Sequence, residues 1–472
     1  MRPGAGDKRA ASLDAAIAAA GARDGMTVSF HHHLRNGDAV LNLVMARLAA
    51  MGLADLHLAP TSLFPVHAPL AEHIRTGTVT RLSTAYMAGP AADAVAEGAL
   101  AHPARLTSHG GRAEALRSGA LPVDIAFVAA PAADGFGNLS GTEGPNACGP
   151  LGYPRVDVRH ARHVIAVTDT LRPFPLGPWE IGGDDVDAVI EVPSIGEAAQ
   201  IASGTTRPTT DPEGLKIAAL AAEVIAASGA LEDGFSFQTG AGGVSLAVAE
   251  TLGRIMAERG VTGSFAAGGI TGTLVDLFHA GLFRALLDVQ CFDLAAVRSY
   301  REDARHFGMS AAAYAAPRPR GSVADRLGAV ILGAAEVDAA FNVNVTTAAD
   351  GRIIGGSGGH ADTAEGAGLT VVTTRLRAGP YAKLVPHVGH VTTPGRHVDV
   401  VATEIGAAVN PARPELAARL AAAGLPVRDI SEMIRAAGDG AAPPRVPDPG
   451  APVVAVSTDR HGQETGRVCA LR

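Results

Sequence analysis

Short β-branched runs that close on a polar or glycine-rich turn and then pass into a helix recur along this chain. That alternation restricts the fold to α/β units with largely parallel sheets. MTVSFHHH (26–33) reads as a strand and RNGD as a turn, where Asn36 or Asp38 can cap the helix AVLNLVMARLAAMG (39–52), stopped by Gly52. The same order returns in GFSFQTGAGG (234–243) and the helix VSLAVAETLGRIMAERG (244–260). Ser29-Phe30 matches Ser236-Phe237 at an offset of about 207. Val123-Asp124-x-Ala126-Phe127 with Ala132-Ala133-Asp134-Gly135 is echoed by Val337-Asp338-x-Ala340-Phe341 with Ala348-Ala349-Asp350-Gly351, at offsets of about 214 to 216. Unless these echoes are coincidences of an alanine-rich chain, they imply two like halves. The halves would meet near 205–234, and a cleft between paired α/β halves is a usual place for a ligand.

The predicted limits are an N-terminal extension over 1–25, one half over 26–215, a second over 216–436, and a segment 437–472. That last segment opens with a Pro/Gly-rich linker (437–451) and ends in PVVAVSTDRHGQETGRVCALR, which reads as a β-hairpin. The length of 472 residues is ample for a buried core. With 39 Lys+Arg against 47 Asp+Glu the chain lacks the basic balance of a non-specific nucleic-acid binder, although a local cationic site for an anionic metabolite remains open. No stretch of about 18 uncharged apolar residues appears and the N-terminus has no apolar signal core, so a soluble protein, neither secreted nor membrane-spanning, is expected. Cys148, Cys291 and Cys469 lie far apart with no C-x-x-C spacing, which supports neither a disulfide framework nor a zinc ribbon and fits a reduced, cytoplasmic setting.

The candidate chemistry sits in a few segments. HHHLR (31–35) invites a metal reading, but alternation along a strand sends His31 and His33 one way and His32 the other, with no further ligand motif, so no metal is expected. Standing at the carboxyl end of a first strand, the histidines and Arg35 can face an anion; histidines hydrogen-bonded within the fold are the plain alternative. TSHGGR (107–112) places His109 and Arg112 around a Gly-Gly turn, and the planar arginine fork suits a carboxylate, although a simple surface turn fits as well. Cys148 has no evident activating base and reads as a structural thiol. Glycine, at 57 residues, is in excess. QTGAGG (238–243), AAGGITG (266–272) and GGSGGH (355–360) each follow a plausible strand, where converging peptide N–H groups can hold an oxyanion or phosphate. None is a P-loop, and none makes a convincing dinucleotide fingerprint.

SFHHHLRNGD (29–38), SLFPVHAPLAEHI (62–74), Ser108-His109-Gly110-Gly111-Arg112, DGFSFQTGAGGVSLAVAE (233–250), GSFAAGGITGTLVDL (263–277), LLDVQCFDL (286–294) and FNVNV…GGSGGHADTAEGA (341–367) together resemble the citrate lyase alpha-subunit family, the citrate CoA-transferase component. The resemblance runs from about residue 26 to about 411. It implies a pair of CoA-transferase-like (NagB/RpiA-like) α/β domains, in agreement with the repeat. It further implies a lyase beta subunit and an acyl carrier gamma subunit as partners, the carrier bearing a CoA-derived phosphopantetheine arm, with no cofactor held tightly on this chain. The alpha chain would exchange acetyl for citryl on that arm, and acetyl-CoA would replace the carrier in isolated subunits.

Many members of the broader CoA-transferase group carry a catalytic glutamate in the pattern H-T-E-M-x-S-D-G-x-x-D-L. Aligned on Val275-Asp276-Leu277, that glutamate falls on Gly268. The departure favours direct attack by a citrate carboxylate in a ternary complex. The resemblance then implies backbone oxyanion donors at Gly242, Gly243, Gly268 and Gly269, and citrate contacts at His31, His33, Arg35, His109 and Arg112, with Arg207 a weaker candidate. It implies thioester-arm contacts at Gln238, Gly240, Thr271, Asn344, Gly355, Gly356, Ser357, Gly358, Gly359, His360 and Glu404, the last favoured as a structural hydrogen-bonding group. The competing readings are a covalent transferase or acyl-CoA hydrolase using Glu404 or Glu143, and a non-enzymatic sugar-phosphate-sensing domain. The sensor would need a DNA-binding appendage that the sequence does not provide.

Overall fold

The computed structural model describes residues 6–202, 206–442 and 450–471, so part of the predicted linker lies outside the described residues. Seven parallel strands begin the first sheet: β1 (Thr27–Phe30), β2 (Leu56–Pro60), β3 (Val79–Thr84), β4 (Ala104–Thr107), β5 (Ile125–Ala130), β6 (His163–Thr168) and β7 (Ala188–Glu191). The second sheet holds β8 (Ser236–Thr239), β9 (Gly263–Ile270), β10 (Phe283–Cys291), β11 (His306–Gly308), β12 (Ala329–Gly333), β13 (Thr370–Thr373), β14 (Val400–Thr403) and β15 (Gly406–Val409). The predicted hairpin forms as β16 (Val453–Thr458) and β17 (Glu464–Cys469).

The first sheet has the order β7-β6-β5-β1-β2-β3-β4-β16-β17, the second β11-β10-β9-β8-β12-β13-β14-β15. Read from β1 and β8 outward, both sheets have the same connectivity, which realises the repeat. β1 and β8 occupy matching central places, so the Ser-Phe match is structural: Phe30 stacks on Phe127 at 5.4 Å, and Phe237 on Phe283 at 6.5 Å. The longer echo is not. Val123–Phe127 enters β5, whereas 337–341 starts in the short strand Glu336–Asp338 that follows β12 and runs into a turn. The true counterparts are Asp134 and Asp338, at an offset of 204. Asp134 accepts from the N–H groups of Phe136 and Asn138 and from Asn138 Nδ2. Asp338 does the same with Ala340 and Asn342.

Parallel strands covered on both faces read as continuous apolar runs, and β5 is buried at every residue. In the second sheet the faces divide. Val330, Leu332, Val372 and Val401 join a core that runs through the first half, while Ala329, Ile331, Val371 and Val400 join a second core. The helix after the first turn, α1 (Val40–Ala50), is capped by Asp38, whose carboxylate accepts from the Val40 and Leu41 N–H groups at 3.2 Å. Asn36 instead accepts from Val66 N–H. The extension lies on the first sheet through an Arg9–Val189 bridge. The limit at 215/216 falls within a helix, Pro212–Ser228. The C-terminal hairpin does not stand apart: β16 pairs parallel with β4, so the chain's last strands lengthen the first sheet.

Candidate active site between the halves

The carboxyl ends of β1 and β8, where each sheet reverses its strand order, open onto the junction of the halves. The histidine triplet leaves β1 there. His31 directs Nδ1 to the Phe127 carbonyl at 3.3 Å and Nε2 to Asp157, and His33 directs Nε2 to the Ala129 carbonyl at 2.6 Å. One nitrogen of each ring is held by neighbouring β5, while His31 Nε2, facing Asp157, and His33 Nδ1 are buried without a hydrogen-bond partner. Arg112 is engaged, donating to both Asp157 oxygens at 2.8 and 2.7 Å and to the Ala59 carbonyl. Arg112 beside Asp157 holds that carboxyl well below its usual range despite burial. Of the three residues expected to contact citrate here, Arg112 is the one fully engaged with a buried carboxylate, Asp157. The metal-competent clustering of three His, Cys, Asp or Glu side chains is absent among the described residues.

Arg35 differs. At φ 52° it turns its guanidinium 4.4 Å above the Phe292 ring of the second half and 5.7 Å from Phe64, and it forms no ion pair. Its Nη1 is buried without a partner. Burial pulls its pKa down, but a guanidinium stays charged at pH 7. The fold makes room for the Phe292 ring through Gly269, where a Cβ would lie 2.3 Å from it.

Beside Arg35 stands an aromatic wall. His109 opens α2 (His109–Ser118), capped by Ser108, and stacks on His32 at 5.5 Å; Tyr153 lies 4.5 Å from His32 and 4.7 Å from His109. Burial and the nearby Arg112 push His109 down to about 3, and burial lowers His32 likewise, so both rings are neutral at pH 7. The Gly-Gly of this turn is a packing requirement: a Cβ at Gly110 would lie 2.2 Å from the Ala315 carbonyl oxygen.

From the second half, Gly268 has φ 104° and lies flat against Gln238, whose amide carbon a Cβ there would meet at 2.6 Å. Gln238 donates to the Tyr314 hydroxyl at 2.7 Å. Beyond Gly268 the β9–β10 register slips by one residue, and Gln290 reaches back to donate to the His32 carbonyl at 2.9 Å. The run 355–359 threads between the halves. Gly355 and Gly356 lie on Tyr86 and Ala85, the Gly358 N–H donates to the Ala85 carbonyl, and the His109 N–H donates to the Gly358 carbonyl. Gly359 leaves space for the Tyr314 hydroxyl. The junction thus gathers Arg35, His109, Gln238, Gly268, Gly269 and the glycine run. Around it Arg35 Nη1, His109 Nδ1, Gln238 Oε1, Gln290 Oε1 and Thr271 Oγ1 are buried without hydrogen-bond partners, an arrangement that fits a polar ligand.

The other expected residues make the following contacts within the fold. Asn344 Nδ2 donates to Glu336 and to Thr347, bracing its loop. His360 is fixed by Thr393 Oγ1 at 2.7 Å and the Gly333 carbonyl at 2.9 Å, and burial pushes it down to about 4. Both Glu404 oxygens accept the Leu376 N–H. Ser357 Oγ accepts the Ala361 N–H, and the Gly240 N–H is used on the Ile331 carbonyl. Gly242 and Gly243 form the open start of α3 (Gly243–Arg259), with nothing within 4 Å of a Cβ at Gly242. Arg207 is exposed beside them. Cys148 is buried and its thiol is pushed well up by that burial, so no nucleophile is available there. His32, Tyr153, Phe292, Gln290 and Tyr314 are the wall residues that sequence reasoning did not select. His32 alone carried a signal, as the member of the triplet on the other face.

A family model described as citrate lyase, alpha subunit (CitF), matches residues 6–465. The chain belongs to the citrate lyase alpha-subunit family. The citrate lyase alpha chain of Escherichia coli K12 is 48% identical over 423 residues, covering 90% of this chain and 83% of that one. The alpha chain of Klebsiella pneumoniae is 44% identical over 422 residues, with 89% and 83% covered. Among solved structures, the citrate lyase alpha subunit of Streptococcus mutans in complex with citrate superposes with a TM-score of 0.97 at 41% identity, covering 99% of this chain and 92% of that one. A malonate decarboxylase alpha subunit from Acinetobacter baumannii, at 16% identity and TM-score 0.64 with 88% and 89% covered, shares the fold. This citrate lyase alpha chain is thus an enzyme subunit built from two CoA-transferase-like α/β halves. No helix among its described residues is long and apolar enough to cross a membrane.

Proposed function

We propose that this citrate lyase alpha chain is the citrate CoA-transferase of its complex, exchanging acetyl for citryl on the thioester arm of an acyl carrier subunit and passing citryl-carrier to a lyase subunit. The observation that carries this reading is Arg35, a half-buried cation with its Nη1 buried and no carboxylate partner, set at the junction of the halves. Burying a charge unpaired is costly; an anionic substrate offsets the cost. Bound citrate in the Streptococcus mutans relative supports the same choice of anion.

The chemistry asks for positioning and charge stabilisation. A citrate carboxylate oxygen attacks the acetyl thioester carbon, and the resulting oxyanion collapses with loss of the thiolate, leaving a mixed acetyl-citryl anhydride. The thiolate then attacks the citryl carbonyl and acetate departs. No general base is needed, because the carboxylate is already ionised at pH 7. Arg35 holds one carboxylate, the neutral His32–His109 pair shapes the pocket without adding charge, and the amides of Gly268 and Gly269 are the donors offered to the oxyanion. Gly242 and Gly243, at the first turn of α3, line the rim on the side of the arm. The arm itself is substrate, contributed by the carrier or by acetyl-CoA.

The test is acetate release by the isolated chain from acetyl-CoA, with citrate or citramalate as acceptor. Acetate formed only with citrate, in proportion to citryl-CoA, is the expected result. Folded protein that releases none with either acceptor refutes the transfer, and release without any acceptor replaces it with a hydrolase.

A further inference from the structure

The hairpin β16–β17 belongs to the first half's sheet, yet its turn reaches the second half. The turn is stiff: Asp459 Oδ1 accepts the N–H groups of His461 and Gln463 at 2.9 Å, and its carbonyl accepts the Gly462 N–H. It rests on the first turn of α2, where a Cβ at Gly111 would meet the Asp459 carbonyl at 2.9 Å. Between those residues Arg460, only 7% exposed, leaves the hairpin and crosses the junction. Its Nη1 lies 2.8 Å from Asp325 and its Nη2 2.9 Å from Glu365, while His461 Nε2 is 2.8 Å from the same Glu365 oxygen.

Glu365 sits on α4 (His360–Gly366), the short helix that directly follows the 355–359 glycine run. Asp362, one turn earlier on that helix, accepts the Gly110 N–H at 2.8 Å. The helix is therefore tied to the first half at two points, one through the start of α2 and one through the hairpin. A second contact supports the same contact surface: His390 of the second half lies against the hairpin, 2.9 Å from Ser457 Oγ and 3.2 Å from the Arg467 carbonyl.

We propose that Arg460 is a positioning residue for the cleft, holding α4 so that the glycine run before it keeps its place against Ala85, Tyr86 and His109. An exposed ion pair would do little of this, since solvent screens it. Arg460 is buried and shared by two carboxylates, so its loss leaves Asp325 without its ion-pair partner and Glu365 with His461 alone. The charge balance agrees: despite burial, Arg460 is raised by Glu365 and Asp325, Glu365 is lowered by Arg460 and His461, and Asp325 is lowered by Ser322 and Arg460. The role extends beyond the transferase reading and does not depend on it.

Amide hydrogen exchange on the full chain tests the proposal directly. Arg460→Ala is expected to speed exchange across 356–366 and 108–112 by about tenfold or more, while β1 and β8 keep their protection. Arg460→Glu repeats the effect, and adding Glu365→Arg to it restores protection. Unchanged exchange over 356–366 in R460A, or no restoration in the reversed pair, overturns the proposal. A rise spread evenly over the whole chain also overturns it, because the hairpin is then a general support. Kinetics gives an independent readout that rests on the transfer reading. KM for acetyl-CoA should rise several-fold, with KM for citrate nearly unchanged and R460K partly rescuing it; an inactive parent chain would count against the transfer while leaving the exchange result to decide the role of Arg460.

Discussion

Asp362 accepts a hydrogen bond from the Gly110 N–H across the junction of the halves, at 2.8 Å, while its other oxygen is buried without a partner. Burial pushes this carboxyl up to about 7, outweighing the opposing pull of Ser108, the Gly110 amide and Arg460. The folded chain keeps a proton there that the unfolded chain releases near pH 4. Folded protein thus binds more protons between about pH 4 and 7, and this group makes stability fall as pH rises through that window, by up to about 1.4 kcal/mol per unit. Asp362→Asn keeps an acceptor for Gly110 and removes the titration. Urea unfolding should show the variant more stable than the parent at pH 8 and closely matched at pH 4; equal pH dependence in the two proteins would disprove the assignment.

The two arginines once equivalent in the sequence should now behave in opposite ways. Arg112→Ala strands Asp157 in the interior, a loss of about 3 to 5 kcal/mol. A lowered urea midpoint would report it. Arg35→Ala removes a cation that has no carboxylate partner and only the Phe292 and Phe64 rings beside it, so folding should be little harmed, while citrate affinity measured by calorimetry falls roughly 10- to 100-fold, the range of a charge-assisted contact. An R35A protein that binds citrate normally removes Arg35 from the site.

Gly269 and Gly242 offer a matched pair of substitutions. A Cβ at Gly269 would lie 2.3 Å from the Phe292 ring, so Gly269→Ala must displace that ring from beneath Arg35 and should weaken citrate binding by at least about tenfold. Gly242 has φ −76° and open space where a Cβ would go, so Gly242→Ala should be nearly silent in citrate binding and cost at most about 1 kcal/mol of stability at the helix cap. A silent G269A would mean that the Phe292 stack is dispensable.

Covalent catalysis leaves a trace that direct transfer does not. Borohydride treatment after incubation with acetyl-CoA converts a glutamyl thioester to an alcohol and changes the mass of one peptide. No change is expected at any glutamate, since Gly268 lacks a side chain and Glu404 holds the Leu376 N–H with both oxygens. A reduced Glu404 or Glu143, together with parallel initial-rate lines, would establish the ping-pong route instead.

What the sequence disclosed was what local pattern controls. The Asp38 cap, the stop at Gly52 and the strand-turn-helix order around Ser29-Phe30 and Ser236-Phe237 depend on neighbours in the chain, and the structure contains all of them. The longer echo misled because eight matching letters in an alanine-rich chain ignore register; the aspartate-asparagine turns at 134 and 338 carry the real correspondence through hydrogen bonds that spacing alone does not advertise. In the site, Arg35 and Arg112 looked alike as cations near turns. Only the fold reveals Asp157, 45 residues from Arg112, as the buried partner that one of them has and the other lacks. Phe292, Gln290 and Tyr314 were illegible for the same reason, since each matters through a residue of distant sequence.

The place of β16 beside β4 also sets a timetable for folding. During synthesis β4 presents an unpaired parallel edge from the moment it forms until the residues after Val453 emerge, on the order of tens of seconds later. Until then Ala104–Thr107 is a template open to strands of other chains. A protein split at the apparent boundary between its halves would keep that edge bare permanently, and its first half would be prone to self-association even with every residue of its own core present.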